Sequence, residues 1–213
     1  ILVTSVMNGF ERELKTRILQ AIPHASIQGN IAKIDVDDIS ESLMLNSNVL
    51  GVAPYLETQG LLSSGTYLKG VYIFGVDPVY EKTVSTIENH FVEGSLDSLN
   101  DNDYNLVIGD ILAIQLGLRV GDSVNILVPE TGLGLAGILP RTKKFRITGI
   151  FSLGAPEIDQ SYIYLNTDNA SKLLRTGEYV HGIRIRYSNL FSAKDYIKSD
   201  LLRINKEFQK NYK

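Results

Sequence analysis

Apolar residues recur along this chain with two different periods, and the period separates predicted helices from predicted strands. Near the start they stand at four-residue spacing with charged residues on the other faces: Val6, Phe10, Leu14 and Ile18. This spacing predicts a helix that continues to about Ile22 and ends at Pro23. Further helices are predicted over residues 37–47, 110–116, 167–174 and 192–204. Asp37 or Asp38, and Thr167 or Asp168, are the predicted caps of two of them.

Alternating or short continuous apolar runs predict strands. They cover residues 25–29, 49–62, 68–76, 106–109, 123–128, 143–151, 161–165 and 180–187. Ser63–Thr66 is the predicted turn between the second and third strands, and residues 95–105 are predicted as a loop. The third strand is apolar on both faces, so we expect both faces to be covered.

The order of these elements predicts an α+β fold in two units. A discontinuous α/β subdomain is formed by residues 1–76 and 178–213. A β-rich subdomain, residues 77–177, is inserted between the two parts. The chain of 213 residues is long enough for this organisation, or for one well-buried domain.

The composition of the chain excludes some classes of binding site. The formal net charge of -3 offers no broad electrostatic footprint for nucleic acid. The absence of cysteine excludes disulfides and thiolate metal sites but does not decide the compartment. No stretch approaches the roughly 20 apolar residues that span a bilayer. The apolar run Ile1–Met7 is interpreted as the last part of a hydrophobic helix, with a chain trimmed at flexible tails as the alternative.

Candidate catalytic chemistry is sparse. His24, His90 and His181 belong to different predicted elements, and neither an HExxH motif nor a G-x-S-x-G elbow is present. The glycines at 132, 134 and 137 resemble a phosphate loop, but no Gly-Lys-Ser/Thr and no predicted helix follow them. We therefore predict no catalytic residue, no cofactor and no metal. An enzyme whose histidines converge on a carboxylate in space is the alternative.

One segment departs from the polar composition of surface loops. Residues 129–141 join two predicted strands and carry four large apolar side chains, Leu133, Leu135, Ile138 and Leu139. In one interpretation the loop folds back and buries these side chains on its own subdomain. In the other, which we favour, the glycines keep an apolar arm mobile, and the arm inserts into a partner.

A specific string follows the first apolar run: Val6-Met7-Asn8-Gly9-Phe10-Glu11-Arg12-Glu13-Leu14. With Pro23-His24, Val52-Ala53-Pro54-Tyr55, Gly75-Val76-Asp77-Pro78, Val107-Ile108-Gly109, Gly121-Asp122 and Gly149-Ile150-Phe151, it resembles the LolC/LolE permeases of the bacterial lipoprotein-releasing ABC transporter. The resemblance covers essentially the whole chain. It is to the periplasmic domain between the first and second transmembrane helices.

The resemblance implies a membrane-proximal, porter-like subdomain and a distal β-rich one from which a hairpin, the hook, projects. The hook corresponds to residues 129–142. In LolC-type subunits it engages LolA, the soluble lipoprotein chaperone, and this implies partner-binding roles for Leu133, Leu135, Ile138, Leu139, Pro140 and Arg141.

The other implied partners are a separate LolD ATPase, a second LolC/LolE-type permease and the lipoprotein itself, with the parent protein in the inner membrane. Several stretches are more similar to LolE, among them Val180-His181-Gly182-Ile183, whereas the length of the arm and Ile138-Leu139-Pro140 are more similar to LolC. The sequence favours a LolE-like subunit, and a mixed subunit would explain both. The alternative function is a related permease that exports another substrate.

Overall fold

The computed structural model describes residues 23–100, 103–129 and 140–213. Within them the strands are β1 Ala25–Ala32, β2 Val49–Ser64, β3 Tyr67–Val76, β4 Phe91–Gly94, β5 Asn105–Gly109, β6 Ser123–Val128, β7 Arg141–Phe151, β8 Tyr162–Asn166 and β9 Tyr179–Tyr187. The α-helices are α1 Lys33–Met44, α2 Pro78–Val84, α3 Asp110–Leu116, α4 Pro156–Asp159, α5 Thr167–Leu174 and α6 Ala193–Glu207. Short 3₁₀ turns cover Ile87–His90, Leu96–Asn100 and Leu190–Ser192. The helix predicted up to Ile22 lies outside the described residues.

The described strands form a sheet in the order β1-β9-β2-β3-β8-β5-β7-β4, and β6 pairs with both β2 and β7. Because β2, β3, β8, β5, β7 and β6 are each paired with the next, and β6 pairs back to β2, these strands close into a ring. Closure removes exposed strand edges from this part of the molecule. The fold thus combines helices with one mixed sheet of parallel and antiparallel strands, part of which closes into a small barrel. The predicted α+β class is confirmed.

The core divides into three clusters of buried side chains. One fills the barrel and includes Leu62, Phe145 and Ile163. A second lies between the β1-β9-β2 part of the sheet and helices α1 and α6. The third lies on the outer face of the barrel, beneath the segment that connects β3 to β5. Strands β2 and β3 were predicted in the first subdomain, but they also contribute side chains to the barrel. The division of the chain into two subdomains at residue 77 stays a proposal.

The start of α1 differs from the prediction. Neither Asp37 nor Asp38 caps this helix, which begins at Lys33 after an N-cap residue, Ala32, whose side chain cannot accept a hydrogen bond. The Lys33 N–H instead donates to the Glu178 carbonyl at 2.7 Å. A neighbouring chain segment therefore supplies the acceptor that a capping side chain provides elsewhere.

Two other helix starts also differ from the prediction. The cap of α5 is Asn166, which accepts from the Asp168 N–H at 2.8 Å, rather than Thr167 or Asp168. Helix α2 was not predicted, although its start has a sequence signal. Asp77 accepts from the Val79 N–H at 2.8 Å and Pro78 occupies the first turn, the usual pattern of an N-terminus.

The outer edge of β1 is covered by the end of the described chain. Gln28 and Lys213 exchange backbone hydrogen bonds of 2.5 and 2.9 Å. The ring of Tyr212 lies on Gly29, where a Cβ atom would be 2.6 Å from the ring. The tail therefore satisfies the backbone of the β1 edge at Gln28, and it joins the second core cluster through Tyr212.

Gly109, at the end of β5, is expected to tolerate no side chain. A Cβ there would lie 2.1 Å from the Asp159 carbonyl oxygen. That backbone is fixed because the fully buried Asp159 carboxylate accepts from the Leu153 and Ala155 N–H groups at 2.9 and 3.0 Å. Gly109→Ala should lower the free energy of unfolding by about 1–3 kcal/mol, measured by urea denaturation.

Gly70→Ala is the matched control for this substitution. A Cβ at Gly70 meets nothing within 4 Å, so the free energy of unfolding should change by less than about 0.5 kcal/mol. Equal effects of the two substitutions would show that the contact with Asp159 does not limit residue 109.

Candidate partner-binding site

The base of the predicted arm is a regular two-stranded ladder. Strands β6 and β7 pair antiparallel from Ser123↔Arg146 to Val128↔Arg141. The ladder ends at the pair Val128 and Arg141, which confirms that the segment between them connects two adjacent antiparallel strands. Four of the predicted partner-binding residues, Leu133, Leu135, Ile138 and Leu139, lie outside the described residues.

Two predicted partner-binding residues are described, and they differ in their surroundings. Pro140 is exposed at the rim of a groove. Arg141 is only partly exposed, and its guanidinium donates to the Leu174 carbonyl at the end of α5 at 2.6 Å. Cationic groups at helix C-termini satisfy free carbonyls, so Arg141 also ties the base of the arm to the barrel. The roles of both residues in binding a partner stay proposals.

An open groove of about 640 Å³ adjoins the base of the arm. Its walls are Gln59, Gly60, Leu61, Gly70, Val71, Tyr72, Leu127, Val128, Pro129 and Pro140. It forms where β2 separates from β6, because these strands pair only between Leu61↔Leu127 and Ser63↔Asn125. The groove is mostly apolar, and Leu61 and Tyr72 are each 40% exposed on its surface.

Strand β7 gives the base of the arm a positive charge. Lys143, Lys144 and Arg146 are exposed and follow Arg141 within the same strand. Lys143 lies over the ring of Tyr104, 4.9 Å from its centroid. A partner that approaches the arm therefore meets a cationic strand, which favours an acidic surface on that partner.

A second cavity, of about 370 Å³, lies on the opposite face of the sheet from the barrel interior. Its deepest charged group is Arg184, which pairs with the buried Glu81 of α2. The guanidinium lies 5.3 Å from the centroid of Tyr55 and 5.9 Å from that of Phe74. Burial raises the pKa of Glu81, and the Arg184 charge opposes that shift. Burial also raises the pKa of the neighbouring Tyr164.

The side chains of His24 and His181 make hydrogen bonds with the backbone. His24 Nδ1 accepts from the Tyr187 N–H at 3.2 Å, and burial followed by the charge of Arg186 lowers the His24 pKa. His181 Nδ1 lies 3.1 Å from the Glu57 N–H. His24 precedes β1, His90 ends a 3₁₀ turn and His181 lies in β9. Among the described residues, no group of three or more metal-ligating side chains occurs. The described helices include none that is long and apolar enough to cross a membrane.

A family model and solved domains of two transporters are similar to this chain. Residues 1–198 match the family model of the MacB-like periplasmic core domain. The fold is similar to the extracellular domain of the ABC-type transporter YknZ from Gram-positive bacteria (TM-score 0.57, 12% identity, 92% of this chain and 91% of that one). It is also similar to the periplasmic region of MacB from Actinobacillus actinomycetemcomitans (TM-score 0.55, 15% identity, 87% and 84%).

The chain is similar in sequence to transmembrane proteins of the lipoprotein-releasing system. LolC of Xylella fastidiosa strain 9a5c is 33% identical over 208 residues, which cover 96% of this chain and 50% of the relative. LolE of Haemophilus influenzae is 29% identical over 197 residues, 90% of this chain and 47% of the relative. The chain thus spans about half the length of these transmembrane proteins. The resemblance to LolC/LolE permeases is confirmed, and the chain belongs to the family of MacB-like periplasmic core domains, the non-catalytic periplasmic part of ABC transporter permeases.

Proposed function

We propose that this domain belongs to an inner-membrane ABC permease that releases outer-membrane lipoproteins and passes them to the periplasmic chaperone LolA. The observation that carries the proposal is the 33% identity to a lipoprotein-releasing subunit along nearly the whole chain. The proposal is also supported by the antiparallel pairing of β6 and β7, the two strands of the barrel that flank the apolar segment predicted to dock the chaperone.

The physical problem in such a transfer is the exposure of lipid to water. Each CH₂ group of an acyl chain that leaves an apolar environment costs about 0.8 kcal/mol, so the chaperone must wait at the exit. An arm held by a rigid barrel can keep the chaperone there, because β6 and β7 fix its two ends. Arg141 strengthens this support through its hydrogen bond to Leu174.

In this proposal, ATP hydrolysis and the passage of the lipoprotein out of the membrane belong to other parts of the assembly. We propose that a LolD-type ATPase and a second LolC/LolE-type permease join the membrane portion of the parent protein. Movement driven by ATP then brings the periplasmic domains together. The relatives carry both the LolC and the LolE names, so the LolE-like assignment stays a prediction.

Reconstitution of the full-length permease with its ATPase and its second permease in liposomes tests this function. With a triacylated lipoprotein in the bilayer, ATP and soluble LolA, we expect lipoprotein to appear in a soluble complex with LolA. Omission of ATP or LolA should leave the lipoprotein in the liposomes. ATP turnover that releases no lipoprotein, together with export of a drug or peptide, would favour the alternative permease function.

A further inference from the structure

Three neighbouring strands begin or end together at one end of the sheet. Strand β1 pairs antiparallel with β9, so its first residue, Ala25, lies opposite Ile185 near the end of β9. Strand β2 also pairs antiparallel with β9, and its first residue, Val49, lies opposite Tyr187. Helix α1 ends here as well, because residues 45–48 join its last turn directly to β2. The turn of residues 45–48 therefore lies at the extremity of this part of the sheet.

This turn and its two flanks present three exposed apolar side chains. Met44, Leu45 and Leu50 are 49%, 79% and 53% exposed. The sequence between Glu41 and Glu57 contains no charged residue. Single exposed apolar side chains are common, but three on one uncharged turn are typical of a surface that contacts something apolar. We call Met44, Leu45 and Leu50 the apolar tip.

Hydrogen bonds fix the backbone behind the apolar tip. The Asn46 side chain accepts from the Asn48 N–H at 3.0 Å. It also donates to the two oxygens of the Asp200 carboxylate at 3.0 and 3.2 Å. Asp200 is buried and accepts from the Tyr187 hydroxyl at 2.9 Å. Turning Leu45 inwards would break these bonds, so the folded turn keeps the tip exposed.

The tail of the chain runs towards the same end of the sheet. Gln28 and Lys213 exchange both backbone hydrogen bonds, which is the pattern of an antiparallel pair. The tail therefore runs opposite to β1 and points towards Ala25. At the start of β1, His24 accepts from the Tyr187 N–H, so this part of the chain lies at the same end. A connection to a membrane portion along either route approaches the membrane with the apolar tip foremost.

The position of the tip favours a lipid surface over a single acyl chain. Its side chains lie on a turn between a helix and a strand, and they line neither of the cavities described above. A bilayer encloses apolar side chains that enter its interface, whereas an acyl chain has to be enclosed by the protein. Exposed charges near this end have both signs, as in the adjacent Lys194 and Asp195, and do not oppose a lipid surface.

We propose that the apolar tip contacts the surface of the lipid bilayer in which the parent protein is anchored. This inference rests on the proposed function, because it needs a membrane portion in the same protein. Since the domain and that portion belong to one chain, the contact is intramolecular, and a few side chains suffice to maintain it.

The contact also limits the distance between the lipid and the base of the arm. Gly60 adjoins the end of β6, since a Cβ there would lie 3.2 Å from the Val128 side chain. Gly60 is eleven residues further along β2 than Val49, which is at most about 36 Å of extended chain. A tip at the bilayer thus holds the base of the arm within roughly that distance of the lipid surface.

Fluorescence quenching by spin-labelled lipids tests the contact. The full-length permease, with its native cysteines replaced by serine, carries Leu45→Cys labelled with the fluorophore NBD. It is reconstituted in liposomes of phosphatidylethanolamine and phosphatidylglycerol that contain a lipid with a nitroxide near its headgroup. This lipid should quench the label at Leu45 several-fold more than labels at Ile34 or Tyr67, which are exposed at the start of α1 and of β3.

Equal quenching at the three positions would overturn the inference. A label at Leu45 that is shielded from water but not quenched by the lipid would also overturn it. That result would show that a protein segment, either the residues before Pro23 or the second permease, covers the tip. Quenching is measured without ATP, LolA or lipoprotein. Failure of lipoprotein release with quenching intact would therefore contradict the proposed function and not the contact.

A double substitution gives a second measurement. Leu45→Gln with Leu50→Gln preserves the size of the side chains and removes their apolar character, so quenching of a label at Met44→Cys should fall several-fold. The matched control, Ile34→Gln with Ile114→Gln, should leave that quenching unchanged. All four replaced side chains are exposed, so the unfolding midpoint should stay the same in both variants. Quenching at Met44 that survives the substitution of the tip would overturn the inference.

Discussion

Replacing Leu135, Ile138 and Leu139 together by aspartate is expected to abolish capture of LolA by this domain. A micromolar complex has a binding free energy of about -8 kcal/mol. Burial of one leucine or isoleucine side chain contributes about 1.5–3 kcal/mol, so three such anchors account for most of that energy. A carboxylate in an apolar pocket adds a further desolvation penalty. Binding should fall by at least a hundredfold, measured by pull-down and by titration calorimetry.

The control for this variant keeps the charge change and moves it. Ile34, Ile114 and Leu202 are 85%, 77% and 72% exposed on three helices that are not part of the arm. Their replacement by aspartate should leave LolA capture and the unfolding midpoint unchanged. If the arm variant binds LolA as tightly as the unmodified domain, the arm does not dock the chaperone. Loss of binding in the control variant would instead attribute the effect to net charge.

Local patterns in the sequence predicted most elements because their signals lie within a few residues. Helices over 110–116 and 167–174 and the strand over 123–128 agree with the structure to the residue. The turn after β2 also agrees, since Gly65 adopts the positive φ of 57° that a tight hairpin needs. The predicted strand starting at residue 143 begins two residues earlier, at Arg141, because β7 stays paired with β6 to its first residue.

Closure of the barrel could not be predicted in the same way. It depends on β2 pairing with β6 over only three residue pairs, between segments more than sixty residues apart. Strand pairing of this kind is fixed by tertiary packing, and no local pattern encodes it. The same holds for the contacts of Tyr72 and Phe74 with Tyr162, since these rings come from β3 and β8 and meet only because the two strands are parallel neighbours.

The buried ion pair was also not predicted from the sequence. Glu81 and Arg184 are 103 positions apart, and each belongs to a residue type that is usually exposed. No helix was predicted after Asp77-Pro78, so the sequence missed α2, the helix that carries Glu81 into the sheet face. A helix prediction after Asp77 would have placed Glu81 on its first turn, although its partner would still have been unknown.

Glu81→Ala is expected to lower the free energy of unfolding by about 3–5 kcal/mol, a large share of the 5–15 kcal/mol typical of a domain. The substitution leaves the Arg184 charge buried against Tyr55 and Phe74 without its carboxylate. An unpaired charge in that position costs far more than the pair contributes when intact. Urea denaturation monitored by tyrosine fluorescence and circular dichroism measures the change.

Two further variants separate the buried charge from other effects of changing α2. Lys82→Ala removes the partly exposed contacts to Asp97 at 2.6 Å and Glu88 at 3.7 Å, and should cost less than about 1 kcal/mol. The double variant Glu81→Leu with Arg184→Met replaces the pair by apolar side chains, and should recover most of the stability lost in Glu81→Ala. If the double variant is as unstable as Glu81→Ala, the loss arises from helix packing and not from an unpaired charge. Recovery of stability would show that the loss in Glu81→Ala comes from the unpaired charge of Arg184.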